Sequence, residues 1–153
     1  MSPVPSLWTL LDAVKDPEIP VVSIWELGIL QDICQPDEGV VRVKLTPTYS
    51  GCPAMDVIAE DIVRTLECSG YPQVEIERSL SPAWSSTWIL PNARRRMRNF
   101  GIVPPVADSA NSIACPQCDS TETLLVSEFG STACKALYRC SSCGEPFDYF
   151  KPI

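Results

Sequence analysis

The stretch VRVKLTPTYSGCPAMDVIAEDIVRTLECSGYPQVEIER, residues 41–78, decides the fold. Val41, Val43 and Leu45 alternate with Arg42 and Lys44, the period-two pattern of a strand with one face on a core. From about Ala54 to Cys68 the period changes. Met55, Ile58, Ile62 and Leu66, with Ala59 and Val63 beside them, make one apolar stripe of a helix, while Asp56, Glu60, Asp61 and Arg64 take the wet face. Ser69-Gly70 ends that helix, because glycine enters the left-handed conformation without steric cost. Val74 and Ile76 then alternate with Glu75, Glu77 and Arg78 in a further strand. Interleaved strand and helix predict an α/β domain, an α+β two-layer sandwich of about three strands with packing helices.

The flanks extend this reading. Leu7, Leu10, Leu11 and Val14 are spaced as one face of a short helix with Ser6 as its N-cap. Pro17 and Pro20 stop it and make Asp16 to Pro20 a rigid turn. Ile29 to Cys34 reads as a strand that pairs with Val41–Leu45 through the turn Asp37-Glu38-Gly39. Residues 81–88 (SPAWSSTW) fit no single element, and Asn92 to Phe100 is a short helix with arginines at 94, 95, 96 and 98. Those arginines read either as a solvated face or as a dock for an acidic partner. The α/β domain is drawn at 1–103, a proline-bearing linker at 104–112, and a small second domain at 113–153.

That second domain carries Cys115-Pro116-Gln117-Cys118 and Cys140-Ser141-Ser142-Cys143-Gly144, two CxxC turns with 21 residues between them. Two such turns complete a tetrahedral shell of four thiolates, so Cys115, Cys118, Cys140 and Cys143 are the predicted ligands of a structural zinc in a zinc ribbon. A rubredoxin-like iron and a redox dithiol are the alternatives at this spacing. Strands are expected through Leu124–Ser127, Ala136–Arg139 and Phe147–Phe150. A segment of about 40 residues buries too little to fold alone, so the metal supplies much of its stability. Cys134 reads as a small buried hydrophobe, with support of the ligands from beside the metal shell, or exchange with one of the four, as the other options.

Composition narrows the function. The chain has 153 residues, a formal charge of −7 and no histidine. Without histidine there is no Ser-His-Asp triad, Cys-His dyad or histidine zinc site. The acidity argues against nucleic acid as a partner, and the ribbon itself carries three basic and five acidic residues from Asn111 to Ile153. No run approaches the roughly 18 apolar residues of a membrane helix, and Met1 to Pro5 has no signal-peptide character. The protein is therefore expected in the cytoplasm, off the membrane, with its eight cysteines reduced.

Cys52 lies between Gly51 and Pro53 at the entrance to the central helix. Unpaired N–H groups there are expected to favour a thiolate and lower its pKa, with Thr46, Thr48, Tyr49 and Ser50 as hydroxyl donors around the sulfur. An ordinary core cysteine is the bland alternative. No base is present to make Cys52 a hydrolase nucleophile, and a thiol oxidoreductase lacks a resolving cysteine nearby in sequence. One thiolate cannot hold a metal alone; Cys34, Cys68, a carboxylate, a client or a second protomer of a homodimer has to complete the shell. Cys34 and Cys68 read as core residues.

Two segments resemble a known family. Asp16-Pro17-Glu18-Ile19-Pro20 with Ser23-Ile24-Trp25-Glu26-Leu27-Gly28, and Thr46-Pro47-Thr48-Tyr49-Ser50-Gly51-Cys52-Pro53, resemble the two signatures of the SufT-like iron–sulfur assembly family. The tail from Phe129 to Ile153 (FGSTACKALYRCSSCGEPFDYFKPI), following Cys-Pro-Gln-Cys, is similar to the C-terminal extension of one branch, the PaaD branch of bacterial phenylacetyl-CoA epoxidase systems. The resemblance implies a role in phenylacetate catabolism, where a di-iron oxygenase fed by a flavin and [2Fe–2S] reductase forms a ring 1,2-epoxide. It implies an accessory component rather than an enzyme, a maturation factor for the iron–sulfur or di-iron centre of the reductase or oxygenase. On that reading Cys52 transiently ligates iron or an iron–sulfur cluster, Asp16 and Glu18 shape the loop or lend a carboxylate, and Thr46 and Thr48 belong to the same site. The ribbon recognises the client. A non-catalytic structural subunit of the oxygenase complex is the alternative.

Overall fold

The computed structural model describes residues 6–49, 51–106, 113–130 and 132–152. The chain divides into two compact units, residues 1–90 and 91–153.

In the first unit a short helix α1 (Leu7–Leu11) is capped by Ser6, whose hydroxyl accepts from the Thr9 N–H. It ends one turn earlier than the apolar spacing predicts, and Val14 is buried beyond it in a turn closed by its N–H on the Leu11 carbonyl. β1 (Leu30–Asp37) and β2 (Val40–Leu45) form an antiparallel hairpin, with Gly39 at φ +75° in the connection. The central helix α2 (Ala54–Cys68) then carries the chain over to β3 (Gln73–Arg78), which pairs parallel to β2. The sheet order is β1-β2-β3. Val41, Val43 and Leu45 on β2 and Met55, Ile58, Ile62 and Leu66 on α2 are all buried, so sheet and helix bury the faces their sequence periods mark out. This is the expected mixed α+β layer.

Cys34 and Cys68 depart from expectation, since both are exposed. Cys34 follows Ile33 on β1, where the strand runs beyond the core and every residue to Asp37 is exposed. Cys68 lies two residues past Leu66, about 200° around the helix from the buried stripe.

The segment 81–90 becomes a lid over the turn at 23–28. Trp84 is buried and donates its indole N–H to the Leu27 carbonyl at 3.0 Å, and the Leu90 N–H reaches the Glu26 carbonyl at 3.0 Å. A 3-10 turn, Ser86–Trp88, connects the two contacts. Gly28 sits beneath it at φ +83°, where a Cβ would lie 2.8 Å from Trp88 Cβ and 3.3 Å from Trp84 Nε1.

The second unit opens with α3 (Pro91–Phe100) and holds a four-stranded sheet of β4 (Ile102–Val103), β5 (Thr123–Ser127), β6 (Lys135–Cys140) and β7 (Pro146–Phe150) in the order β4-β7-β6-β5. The three ribbon strands fall where the sequence puts them. The sequence reading ends the first domain at 103, whereas α3 and β4 group with the ribbon, because β4 pairs parallel to β7 through Ile102 and Val103. Of the expected linker at 104–112, residues 107–112 lie outside the described residues. No helix among the described residues is long and apolar enough to cross a membrane.

Gly28→Ala combines left-handed strain with a backbone-adjacent clash against Trp88. It should destabilise the first unit by about 2–4 kcal/mol, read as a lowered denaturant midpoint when tryptophan fluorescence follows unfolding.

Candidate functional site

The two sequence motifs of the first unit are built differently. The 16–28 segment is self-bonded: the Asp16 carboxylate accepts the N–H groups of Glu18 at 2.8 Å and Ile19 at 3.1 Å, and Lys15 and Ser23 form a one-residue antiparallel bridge. Ser23 and Glu26 cap each other, the Ser23 N–H donating to Glu26 Oε1 at 3.2 Å and the Glu26 N–H to Ser23 Oγ at 3.1 Å. Asp16 and Glu26 are both buried. Loop geometry therefore fixes Asp16, and its rotamer is set by two backbone donors.

The second motif leaves β2 at Thr46 and enters α2 at Cys52. Thr46 and Thr48 are buried, and Thr46 Oγ1 has no hydrogen-bond partner among the described residues. Ser50 lies outside the described residues. Gly51 takes φ +80° with open space where a Cβ would stand. The Pro53 cap position of α2 offers no side-chain bond, and the Cys52 sulfur accepts the Ala54 N–H in its place. Cys52 is half-buried and lines a cleft of about 220 Å³ together with Pro47, Gly51, Met55, Arg78, Ser79 and Leu80. The sulfur thus has a path to the surface.

The expected depression of the Cys52 pKa is reversed. Burial pushes the thiol up from its ordinary value and the carboxylates of Glu18 and Asp16 add to the rise, while the Ala54 N–H and the Tyr49 hydroxyl pull it down. Desolvation outweighs the helix terminus, and the two nearby charges, both negative, disfavour the thiolate further. The two motifs therefore meet: carboxylates of the first act on the thiol of the second.

Arg78 is the residue sequence reasoning missed. Parallel register sets Arg78 opposite Leu45, so the end of β3 lies beside the loop that leaves β2. Its guanidinium bonds Asp56, in the first turn of α2, at 2.7 Å on the rim of the cleft. The signal lay in the topology, since crevices of parallel pairs form at the carboxyl ends of the strands.

In the second unit the sulfurs of Cys115, Cys118, Cys140 and Cys143 all lie within 4.8 Å of one another. Cys115–Cys143 is 3.7 Å and Cys118–Cys140 3.6 Å, close to the roughly 3.8 Å edge of a tetrahedron with 2.3 Å metal–sulfur bonds. Each sulfur receives backbone N–H groups, Gln117 on Cys115, Ser120 on Cys118, Ser142 and Cys143 on Cys140, and Glu145 on Cys143. The Cys143 and Ser142 N–H groups hold the Cys140 thiol down to about 6 against burial. The Ser120 N–H pulls on Cys118, but the shared bonds with its three neighbours and burial push it up to about 12. Four thiols this close cannot all ionise without a cation among them, and the donor set fits a thiophilic divalent ion.

Around the cluster, Cys115 and Cys140 pack in a core with Val103, Phe147 and Tyr149. Ser120 and Ser142 join the two turns through a 2.8 Å hydroxyl contact. Cys134 is buried and paired with the Thr132 hydroxyl at 3.0 Å, apart from the four. Of the arginines on α3, Arg94 donates to the Pro105 carbonyl at 2.7 Å, and Arg98 bonds the Cys115 carbonyl and the Asp119 carboxylate. These two brace their own unit.

Residues 6–77 match the family model described as iron–sulfur cluster assembly protein, and residues 104–151 match the PaaD zinc beta ribbon domain. The chain is 48% identical, over 96% of its length and 92% of the relative's, to an Escherichia coli K12 protein provisionally named as the D subunit of 1,2-phenylacetyl-CoA epoxidase. An Fe-S protein maturation auxiliary factor of Porphyromonas gingivalis is 36% identical over 50% of this chain and 72% of its own. A solved domain of unknown function from Bacillus anthracis superposes with a TM-score of 0.55 at 27% identity, covering 60% of this chain and 87% of that one.

The raised Cys52 pKa has a measurable sign. Alkylation of Cys52, followed peptide by peptide by mass spectrometry in a Cys34→Ser/Cys68→Ser background, should show a pH midpoint above that of a free thiol. Glu18→Gln removes a charge that repels the thiolate, so the midpoint should move down and the rate at pH 8 should rise.

Proposed function

The chain belongs to the family of phenylacetyl-CoA epoxidase D subunits, an iron–sulfur cluster assembly domain joined to a PaaD zinc β-ribbon, and from that membership we propose that it is an accessory subunit that matures a metal centre of such an epoxidase system. The observation that carries the reading is Cys52, half-buried on an open cleft with Asp16 and Glu18 acting on it. Iron or an iron–sulfur cluster is the cargo, and the reductase or oxygenase is the client.

The chemistry follows from the thiol's environment. A thiol held protonated by burial and by two carboxylates is a weak ligand until a cation arrives. The cation then displaces the proton to solvent and is attracted by the same carboxylates that opposed the bare thiolate. Glu18, partly exposed, and Asp16 supply hard oxygen donors beside the soft sulfur. Release is a ligand exchange in which a client thiolate or carboxylate replaces Cys52 and the sulfur regains its proton; no electron changes hands. A site with a single sulfur and a shell completed by the client is suited to passing metal on rather than keeping it. Thr46 and Thr48, both buried in the loop before Cys52, belong to the same site, and the chain itself carries out no turnover on phenylacetyl-CoA.

In the ribbon, Cys115, Cys118, Cys140 and Cys143 are the proposed zinc ligands. The ion supplies charge balance to the four sulfurs and much of the folding energy of the unit. A second reading, a structural component of the oxygenase complex, draws on β5, where Leu124, Leu125 and Val126 are exposed on the edge strand of the ribbon sheet. Oxygenase and reductase matured in the presence of this chain and then separated from it should turn over alone; a continuing requirement for it would favour the structural role.

Two variants test the assignments. Co-expression with Cys52→Ala should leave this chain folded while the client loses most of its iron, and its acid-labile sulfide if the client is the reductase; unchanged iron in both clients would remove the transfer role. Cys118→Ser should lose zinc by elemental analysis and the ribbon's strand signal by circular dichroism, and a folded variant with one equivalent of zinc would contradict the ligand set.

A further inference from the structure

Within the Ser23–Gly28 turn, every residue is buried except Trp25, which is 46% exposed. The turn's caps, its contacts to Leu27 and Glu26 and its glycine all serve the fold, as does the Trp25 carbonyl, which accepts the Gly28 N–H at 3.0 Å; the Trp25 indole takes no part in them. Trp8, on α1, is 39% exposed. The two indoles line one open cleft of about 460 Å³, and among the described residues Thr9 and Asp12 line it with them. Asp12 is exposed, and its carboxylate has no ion pair or hydrogen bond among the described residues. The Lys15 ammonium is held instead on the Asp12 backbone carbonyl at 3.2 Å.

Two aromatic faces beside an unpaired carboxylate form a receptor with a definite chemical preference. Indole faces attract cations, and a guanidinium, planar and weakly hydrated, stacks on them while pairing with a carboxylate. A phosphate or carboxylate ligand would meet the Asp12 charge, and the net charge of −7 draws basic surfaces toward the chain. We infer that this cleft receives an arginine side chain of a partner protein, the guanidinium lying against Trp8 and Trp25 and paired with Asp12. The inference is independent of what Cys52 carries.

The test uses the full chain labelled with ¹⁵N and the indole N–H resonances of its four tryptophans. Acetyl-Gly-Arg-Gly-amide is titrated against acetyl-Gly-citrulline-Gly-amide, which keeps the shape and loses the charge, and against acetyl-Gly-Leu-Gly-amide. The arginine peptide should shift Trp8 and Trp25 saturably and leave the buried Trp84 in place. Citrulline and Asp12→Asn should each weaken binding about two- to fivefold, the range of an exposed ion pair or cation–π contact. Trp25→Leu should abolish the saturable shift of Trp8 while the Trp84 resonance keeps its position, which certifies the fold. Absent or unsaturable shifts at Trp8 and Trp25 overturn the inference, as do equal shifts from citrulline or stronger ones from the leucine peptide.

Discussion

Parallel pairing of β2 with β3 is the constraint on which the first unit depends. A parallel neighbour cannot be reached by a tight turn, so the chain must cross over, and α2 is that crossover. Once the crossover is a helix packed on the sheet through Met55, Ile58, Ile62 and Leu66, its N-terminus has to lie at the carboxyl end of β2. Cys52 is the residue at that junction, and Arg78 ends the neighbouring strand. The meeting of the thiol with Asp16 and Glu18 thus rests on ordinary β-α-β geometry together with a rigid, self-capped turn.

The second unit answers a different physical problem. Among the described residues, Val103, Phe147 and Tyr149 pack in one buried cluster with Cys115 and Cys140, so two of the four sulfur-bearing residues are themselves part of the apolar packing. Backbone N–H groups of Cys143 and Ser142 hold Cys140 down to about 6, while the bonds shared with its three neighbouring sulfurs and burial push Cys118 up to about 12.

Much of this was legible in the residues. The periods over 41–78 fixed the elements and their layers, and the paired CxxC turns fixed the sulfur cluster, because both are local patterns. The missed features are those that depend on partners distant in sequence. Arg78 reached the cleft through strand register, and Trp84 became a buried lid anchor through a bond to Leu27. Burial reversed the expected sign at Cys52, since a helix terminus can be read from sequence but the depth of a side chain cannot. Cys34 and Cys68 were assigned inward by residue type, whereas the strand end and the helix rotation turned both outward.

Arg98 spans helix and metal-type turn, holding the Cys115 carbonyl and Asp119 from the last turn of α3. The carbonyl it grips belongs to a residue of the sulfur cluster, so the helix is clamped to the backbone that presents one of the four sulfurs. An ion held by those sulfurs would fix the turn against which the helix end is braced. One arginine thus ties α3 to the same backbone that carries a cysteine of the cluster.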